Sequence, residues 1–210
     1  MKVVGVGCGP GMLTAEAARV IAGASLVYGS ARAIALARDA ISPGCEVHEI
    51  TDYRSLRSLP DDAVVLSTGD PMLAGLGYLP GEVVPGISSL QVAFARLKIP
   101  LAKAAVVSAH GKDHSRAVAE AGGEVLAGRV VFLIADPAFD VGAFAAALPP
   151  RIRLAVCENL GYPEERIAVG TAAEPPAPRD DLFVVVAGEF QDPGTGAARP
   201  AAALSFFRRS

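Results

Sequence analysis

Tryptophan is absent from the 210 residues, and aromatic side chains make up only 6% of them. Alanine and valine must therefore fill the core, which favours close helix-on-sheet contacts over an aromatic-rich binding surface. Basic excess is also missing: 19 Lys and Arg stand against 22 Asp and Glu, for a net charge of −3. That balance argues against a nucleic-acid partner, which calls for a basic patch. Cysteines number three, Cys8, Cys45 and Cys157, far apart and with no CxxC. Neither a disulfide framework nor a zinc knuckle is expected, and a reducing, cytoplasmic location is. No window reaches the roughly 18 uninterrupted apolar residues of a membrane span. The opening "MKVVGVGCGPG" is too short and too broken by glycine for a signal peptide. What is present is 51% apolar residues and a mean hydropathy of +0.39, ample for packed cores.

The pattern along the chain alternates. Lys2 to Val6 reads as a short buried strand and Gly5 to Gly11 as a glycine-rich loop. Thr14 can cap a helix with Glu16 in its first turn, and Ala17, Val20, Ile21 and Ala24 share one face. Further strands are expected at 25–29, 46–50, 64–67 and 83–84. Ser88 or Ser89 then caps a helix with Leu90, Ala93, Phe94 and Leu97 inward, and 104–108 is the next strand. Gly122-Gly123 and Gly128 read as a loose boundary segment. Strands at 130–137 and 152–156, "ERIAVG" and "DLFVVVAGEF" follow, with a helix stripe of Val141, Phe144, Ala145 and Leu148 between the first two. Continuous valine runs between helices predict an α/β fold with parallel sheets covered on both faces. The expected organisation is an N-terminal α/β domain over 1–112, a C-terminal α/β domain over 123–190, and a mobile tail over 191–210. Phe206-Phe207 in that tail can fray or dock on a partner subunit.

The loop "GVGCGPG" invites the dinucleotide fingerprint GxGxxG but puts Pro10 at its third glycine. The acidic residue expected roughly 20 residues later is missing too, since the second strand ends "SLVYGS". No GxxxxGK[ST] is present, which excludes a P-loop. Yet "GVGCGPG", "GDPMLAG", "PGISS" and "SAHGK" each sit just past a strand's C-terminal end, the edge where open α/β sheets bind ligands.

In this order the four segments resemble the tetrapyrrole methylase family. Within it, "SAHGK" and "CENLGYPEERIAVGT" are most similar to the CbiE branch, the precorrin C5-methyltransferases of cobalamin synthesis. The resemblance spans about residues 2 to 187. Cys8-Gly9 departs from the family's Gly-x-Gly-Pro-Gly, Lys112 replaces an arginine, and the segment between Gly77 and Pro85 is too short for the usual helix.

That resemblance implies two α/β/α domains with S-adenosylmethionine in the cleft between them. It implies a cofactor shell of Pro10, Gly69, Asp70, Pro71, Leu73, Ser88, Ser89, Ala135, Asn159 and Leu160. Asp70 can bond the cofactor or cap its own turn; Ser88 and Ser89 can cap a helix and touch the cofactor at once. His110, in a strand-end loop, is the catalytic candidate, as donor to a substrate carboxylate or as proton shuttle; a structural role is its other reading. His114, at i+4, could pair with His110 on a metal, but no third ligand follows and no metal site is expected. Arg32, Lys112 and Arg116 are candidates for binding the acceptor's carboxylates. The implied reaction is C5 methylation of a precorrin or its cobalt form, by a homodimer without membrane or nucleic-acid partners. A separate C15-methylating, decarboxylating enzyme would work beside it. Alternatives are a family member with another acceptor and an inactive corrinoid-binding paralogue.

Overall fold

The structure, a computed structural model, describes residues 1–111 and 113–191. The chain forms two five-stranded sheets. The first contains β1 (Lys2–Gly5), β2 (Leu26–Gly29), β3 (Glu46–Glu49), β4 (Val64–Ser67) and β5 (Glu82–Val84), in the order β3-β2-β4-β1-β5. All its pairings are parallel, as valine-rich strands between helices predict. Helix α1 (Ala15–Ala22) starts at Thr14, whose hydroxyl accepts from Ala17 N at 3.1 Å. Helix α2 (Ala31–Ala37) starts likewise at Ser30. Small Ala17, Ala33 and Ala37 let both helices lie close on Val4, Val27 and Leu66.

Among the described residues, no α-helix packs on the opposite face of this sheet. Leu56, Leu76 and Leu79, from a 3-10 turn and irregular chain, close over Val3 and Val65. The shortened stretch after Gly77 therefore leaves no bare core beneath it. From β1 the chain passes β4 on the α1 face to reach β2, and from β4 it passes β1 on the other face to reach β5. The C-terminal ends of β1 and β4 thus lie side by side where the two connections leave for opposite faces, at the sheet edge where ligands bind.

The second half begins with helix α3 (Ser89–Arg96) and continues β6 (Ala104–Ser108), α4 (His114–Leu126), β7 (Val130–Ile134) and α5 (Val141–Ala146). Strands β8 (Arg153–Glu158), β9 (Arg166–Thr171) and β10 (Phe183–Gly188) complete a sheet of order β6-β7-β10-β8-β9. Helices α4 and α5 cover one face through Ala121, Val125 and Phe144. Helix α3 covers the other, placing Phe94 edge-on to Phe132 with centroids 6.4 Å apart.

The structure departs from the sequence pattern in three places. Within the second sheet only β6 and β7 pair in parallel; β8, β9 and β10 are antiparallel neighbours with no helices between them. Their valine runs are continuous because α3 and the first half cover the face that α4 and α5 leave. Next, the boundary placed between 112 and 123 is not where the chain changes sheets. β6 joins the second sheet by pairing with β7 through α4, and α3 already packs on that sheet. Finally, Gly122-Gly123 is no loose segment but lies inside α4, carried by the buried stripe Ala117, Ala121 and Val125. The expected mobile tail lies, from residue 192, outside the described residues. No described helix is long and apolar enough to cross a membrane.

Candidate active site

Where β1 and β4 end, the backbone crosses itself. Gly69 N donates to Gly7 O at 2.7 Å, and Gly7 N returns to Gly69 O at 3.3 Å. Both glycines hold positive φ, +83° at Gly7 and +70° at Gly69, which side-chain-bearing residues resist. Gly5 and Gly86 complete the crossing: a Cβ on Gly86 would overlap Gly69 O, and one on Gly5 would stand 2.6 Å from Gly86 N. These two glycines serve backbone-on-backbone packing. Gly69 differs, since a Cβ there would meet nothing closer than Ser88 Cα at 3.6 Å.

Asp70 holds the turn from both carboxylate oxygens: Oδ1 accepts from Met72 N at 2.8 Å and Oδ2 from Gly86 N at 3.0 Å. Pro71 is buried beneath, its carbonyl accepting from Leu76 N at 3.0 Å.

The halves meet through a second glycine contact. A Cβ on Gly9 would stand 2.7 Å from Gly161 C, in the turn after β8, and one on Gly161 would strike Met12 Cε at 2.5 Å. Cys8 fills the inner side of this loop, its Sγ 3.6 Å from Met12 Sδ and 3.7 Å from Leu160 O. Pro10 is left on the exposed outer side.

Between the halves lies a cleft of about 350 Å³. Thr68, Gly69, Asp70, Leu73, Ala74 and Ser89 line it from the first side; Ile134, Ala135, Pro137 and Leu160 face them. Asp181, Leu182, Phe183 and Val184, at the start of β10, complete the second wall, with Cys8 and Cys157 also in the lining. Arg32 and His110, both exposed, also line it. An Arg32 Nη lies 3.3 Å from the accepting Thr68 hydroxyl.

Of the residues singled out in the sequence, Gly69, Asp70, Leu73, Ser89, His110, Ala135, Leu160 and Arg32 come together here. Pro10, Pro71, Ser88, Asn159 and Arg116 do not line this cleft. Ser88 is spent on the α3 N-terminus: its hydroxyl accepts from Gln91 N at 3.2 Å, while its own N–H donates to Gln91 Oε1 at 2.7 Å. Asn159 sits at φ +48°, its Nδ2 donating to Asp180 Oδ2 at 2.9 Å, so it shapes the wall from behind. Arg116 lines a neighbouring trough of about 570 Å³ with Met72, Val106 and Asp113; this trough shares Leu73 and Ile134 with the cleft. Lys112 lies outside the described residues. His114 is not turned to a metal with His110; it pairs with Asp136 at 3.0 Å.

The cleft thiols are protonated. Burial pushes Cys8 up to about 11 and the fully enclosed Cys157 to about 12, so neither is a ready nucleophile. Iodoacetamide should modify the Cys8 peptide slowly at pH 7 and about tenfold faster per pH unit toward pH 9, read by mass spectrometry. A pH-independent rate would contradict the protonated state. Cys8, Thr68 and the Asp181–Val184 wall were not legible as site residues in the sequence. β10 runs antiparallel to its neighbours, so its start rather than its end reaches the cleft.

Residues 2–176 match the family model of the Tetrapyrrole (Corrin/Porphyrin) Methylases. The chain belongs to that family and is a methyltransferase. It is 29% identical over 199 residues to a probable cobalt-precorrin-7 C(5)-methyltransferase of Methanocaldococcus jannaschii, covering 80% of this chain and 89% of that one. The crystal structure of a precorrin-6Y methylase of cobalamin biosynthesis from Archaeoglobus fulgidus superposes with a TM-score of 0.71 at 30% identity, over 91% of this chain and 98% of that one. A uroporphyrin-III C-methyltransferase from Thermus thermophilus, solved in complex with S-adenosylhomocysteine, superposes with a TM-score of 0.63 at 25% identity, over 90% and 96%.

Proposed function

We propose that the chain methylates C5 of a corrin-precursor tetrapyrrole, cobalt-precorrin-7 or its metal-free counterpart, in cobalamin biosynthesis, with S-adenosylmethionine as donor. The observation that carries this reading is the convergence of both glycine-bearing halves on one cleft, in a chain so similar to a precorrin-6Y methylase. The cleft's chemistry fits the donor. A volume of about 350 Å³ lies in the range of small-molecule sites, roughly 300–1,000 Å³. Apolar Leu73, Ala74, Ala135 and Leu160 suit the faces of a nucleoside. Asp70 and Asp181 give the lining negative charge, which suits a donor that carries a sulfonium and an ammonium.

The donor, when bound, supplies a methyl group already activated on sulfur. What remains for the chain is to hold two partners in line and keep water out. The bare face of Gly69 gives backbone-close access on one wall, and the start of β10 closes the other. The adjoining trough is suited to the acceptor: Met72 and Val106, 67% and 46% exposed, offer apolar surface to a flat ring, and Arg116 a charge for a peripheral carboxylate. Arg32 stands ready for a second carboxylate at the cleft mouth. His110 lines the cleft, which supports its role as donor to the acceptor or holder of its proton.

The test is transfer from labelled donor to a panel of tetrapyrroles. Uptake on a corrin precursor at C5 is expected; uptake on uroporphyrinogen III alone would overturn the assignment. His110→Ala should lower turnover about 100-fold while calorimetric donor affinity stays within about twofold. Unchanged turnover would remove His110 from the chemistry.

A further inference from the structure

β6 and β7 run parallel and stop at the same wall of the cleft. Their last shared rung is Ala109 N donating to Ile134 O at 2.9 Å. Beyond it the chain leaves the ladder twice, once into His110-Gly111 and once into Ala135-Asp136-Pro137. His110, Ala135 and Pro137 line the cleft; Asp136, between the last two, does not.

Asp136 instead ties the two loops together past that rung. Its Oδ2 accepts from Gly111 N at 3.2 Å and lies 3.0 Å from His114 Nε2, while Oδ1 accepts from Ala138 N at 3.0 Å. His114 opens α4 and is itself wedged: its ring meets Phe139 edge-on, with centroids 5.4 Å apart. Phe139 in turn packs on Phe144 of α5 in the core of the second half. The two side chains are 31% and 18% exposed, so the bond between them is partly sheltered from water. Hydrogen bonding from His114 also keeps the Asp136 carboxyl below the usual carboxylate range, so it stays an acceptor. Gly111 at φ +63° lets its N–H turn back to Asp136 directly after His110.

We propose that the His114–Asp136 clasp is a positioning device for the transfer, fixing the His110 loop against the Ala135–Pro137 loop so that the acceptor meets a preset wall. This rests on reading the cleft as the methyl-transfer site. Neither residue lines the cleft; both act through His110 and Gly111.

The experiment compares His114→Ala with His114→Gln, whose side-chain amide can still donate to Asp136. Three quantities are read: hydrogen exchange at the Gly111 amide, donor affinity by calorimetry, and kcat and KM for the corrin acceptor. The alanine variant should speed Gly111 exchange about tenfold and raise the acceptor KM about tenfold, the loss of one charge-assisted hydrogen bond. Donor affinity should hold within about twofold, and the glutamine variant should recover most of both losses. Equal behaviour of the two variants, or unchanged Gly111 exchange in His114→Ala, would overturn the clasp. Exchange and calorimetry need no turnover. A wild-type chain that methylates no corrin precursor would therefore overturn the assigned reaction while the clasp still stood or fell on its own data.

Discussion

Gly86→Ala is expected to leave the first half unable to close. The new methyl would overlap Gly69 O and stand 2.8 Å from Gly5 Cα, far inside any contact that real Cβ atoms make. Those neighbours are backbone, and they cannot step aside cheaply. Gly5 is in register with Ser67 in the β1–β4 ladder, and Gly69 is bonded in both directions to Gly7. Moving Gly86 instead would pull its N–H from Asp70 and open the turn at the cleft floor. Overpacking a core costs about 1–3 kcal/mol where side chains can rearrange. Where only backbone can give, about 3 kcal/mol or more is expected, a fall in melting temperature of roughly 6–12 °C for a chain of this size. Gly123→Ala is the counterpart. It lies inside α4, exposed, and a Cβ there would meet no other part of the chain within 4 Å. There the same substitution should stabilise by about 0.5–1 kcal/mol, because alanine loses less backbone freedom in a helix. Two Gly→Ala changes of opposite sign, read by thermal melting, separate backbone contact from backbone entropy. A Gly86→Ala variant melting with the parent would show that the crossing of Gly5, Gly69 and Gly86 is not tight.

The contrast between these glycines also marks what the sequence could tell. Glycines at strand ends point to a crevice, and the cleft lies there. Yet sequence cannot separate a glycine that opens space for a ligand, such as Gly69, from one that admits another backbone, such as Gly5, Gly86 or Gly9. That distinction depends on partners far along the chain: Gly86 meets Gly5 and Gly69, and Gly9 meets Gly161. Asp70 was open to two roles for the same reason, since the amide its Oδ2 holds is 16 residues away. Gly122-Gly123 read as punctuation because two adjacent glycines weaken a helix; the stripe of Ala117, Ala121 and Val125 against β6 and β7 outweighs that local preference. Strand direction was the other blind spot. Valine runs such as "FVVVAG" look alike whether parallel or antiparallel once both faces are covered, so the start of β10 was not foreseen in the cleft.

Glu158→Ala should give the other large loss, and through a wall rather than a contact with ligand. Glu158 ends β8 at 1% exposure, a carboxylate with no route to water. It is satisfied by the Arg166 guanidinium of β9 and by the main-chain N–H groups of Arg179 and Asp180, the latter at 2.9 Å. That segment continues directly into Asp181, Leu182, Phe183 and Val184 of the cleft. Asn159 secures it a second time, donating from Nδ2 to Asp180 and from its backbone to Leu182 O at 3.0 Å. Removing the carboxylate strands two backbone donors and one guanidinium. Breaking a buried pair from one side costs about 3–5 kcal/mol. Arg166 is 31% exposed and can turn to water, which puts the expected loss near the lower figure, about 3 kcal/mol, or roughly 6–12 °C in melting temperature. Glu158→Gln keeps one oxygen for the backbone amides and should lose about half as much. Donor affinity should fall in the same order, alanine more than glutamine, because the wall from Asp181 to Val184 loosens with its anchor. If alanine weakens folding but donor affinity does not move, the anchor and the wall are independent, and Glu158 is a matter of hairpin stability alone.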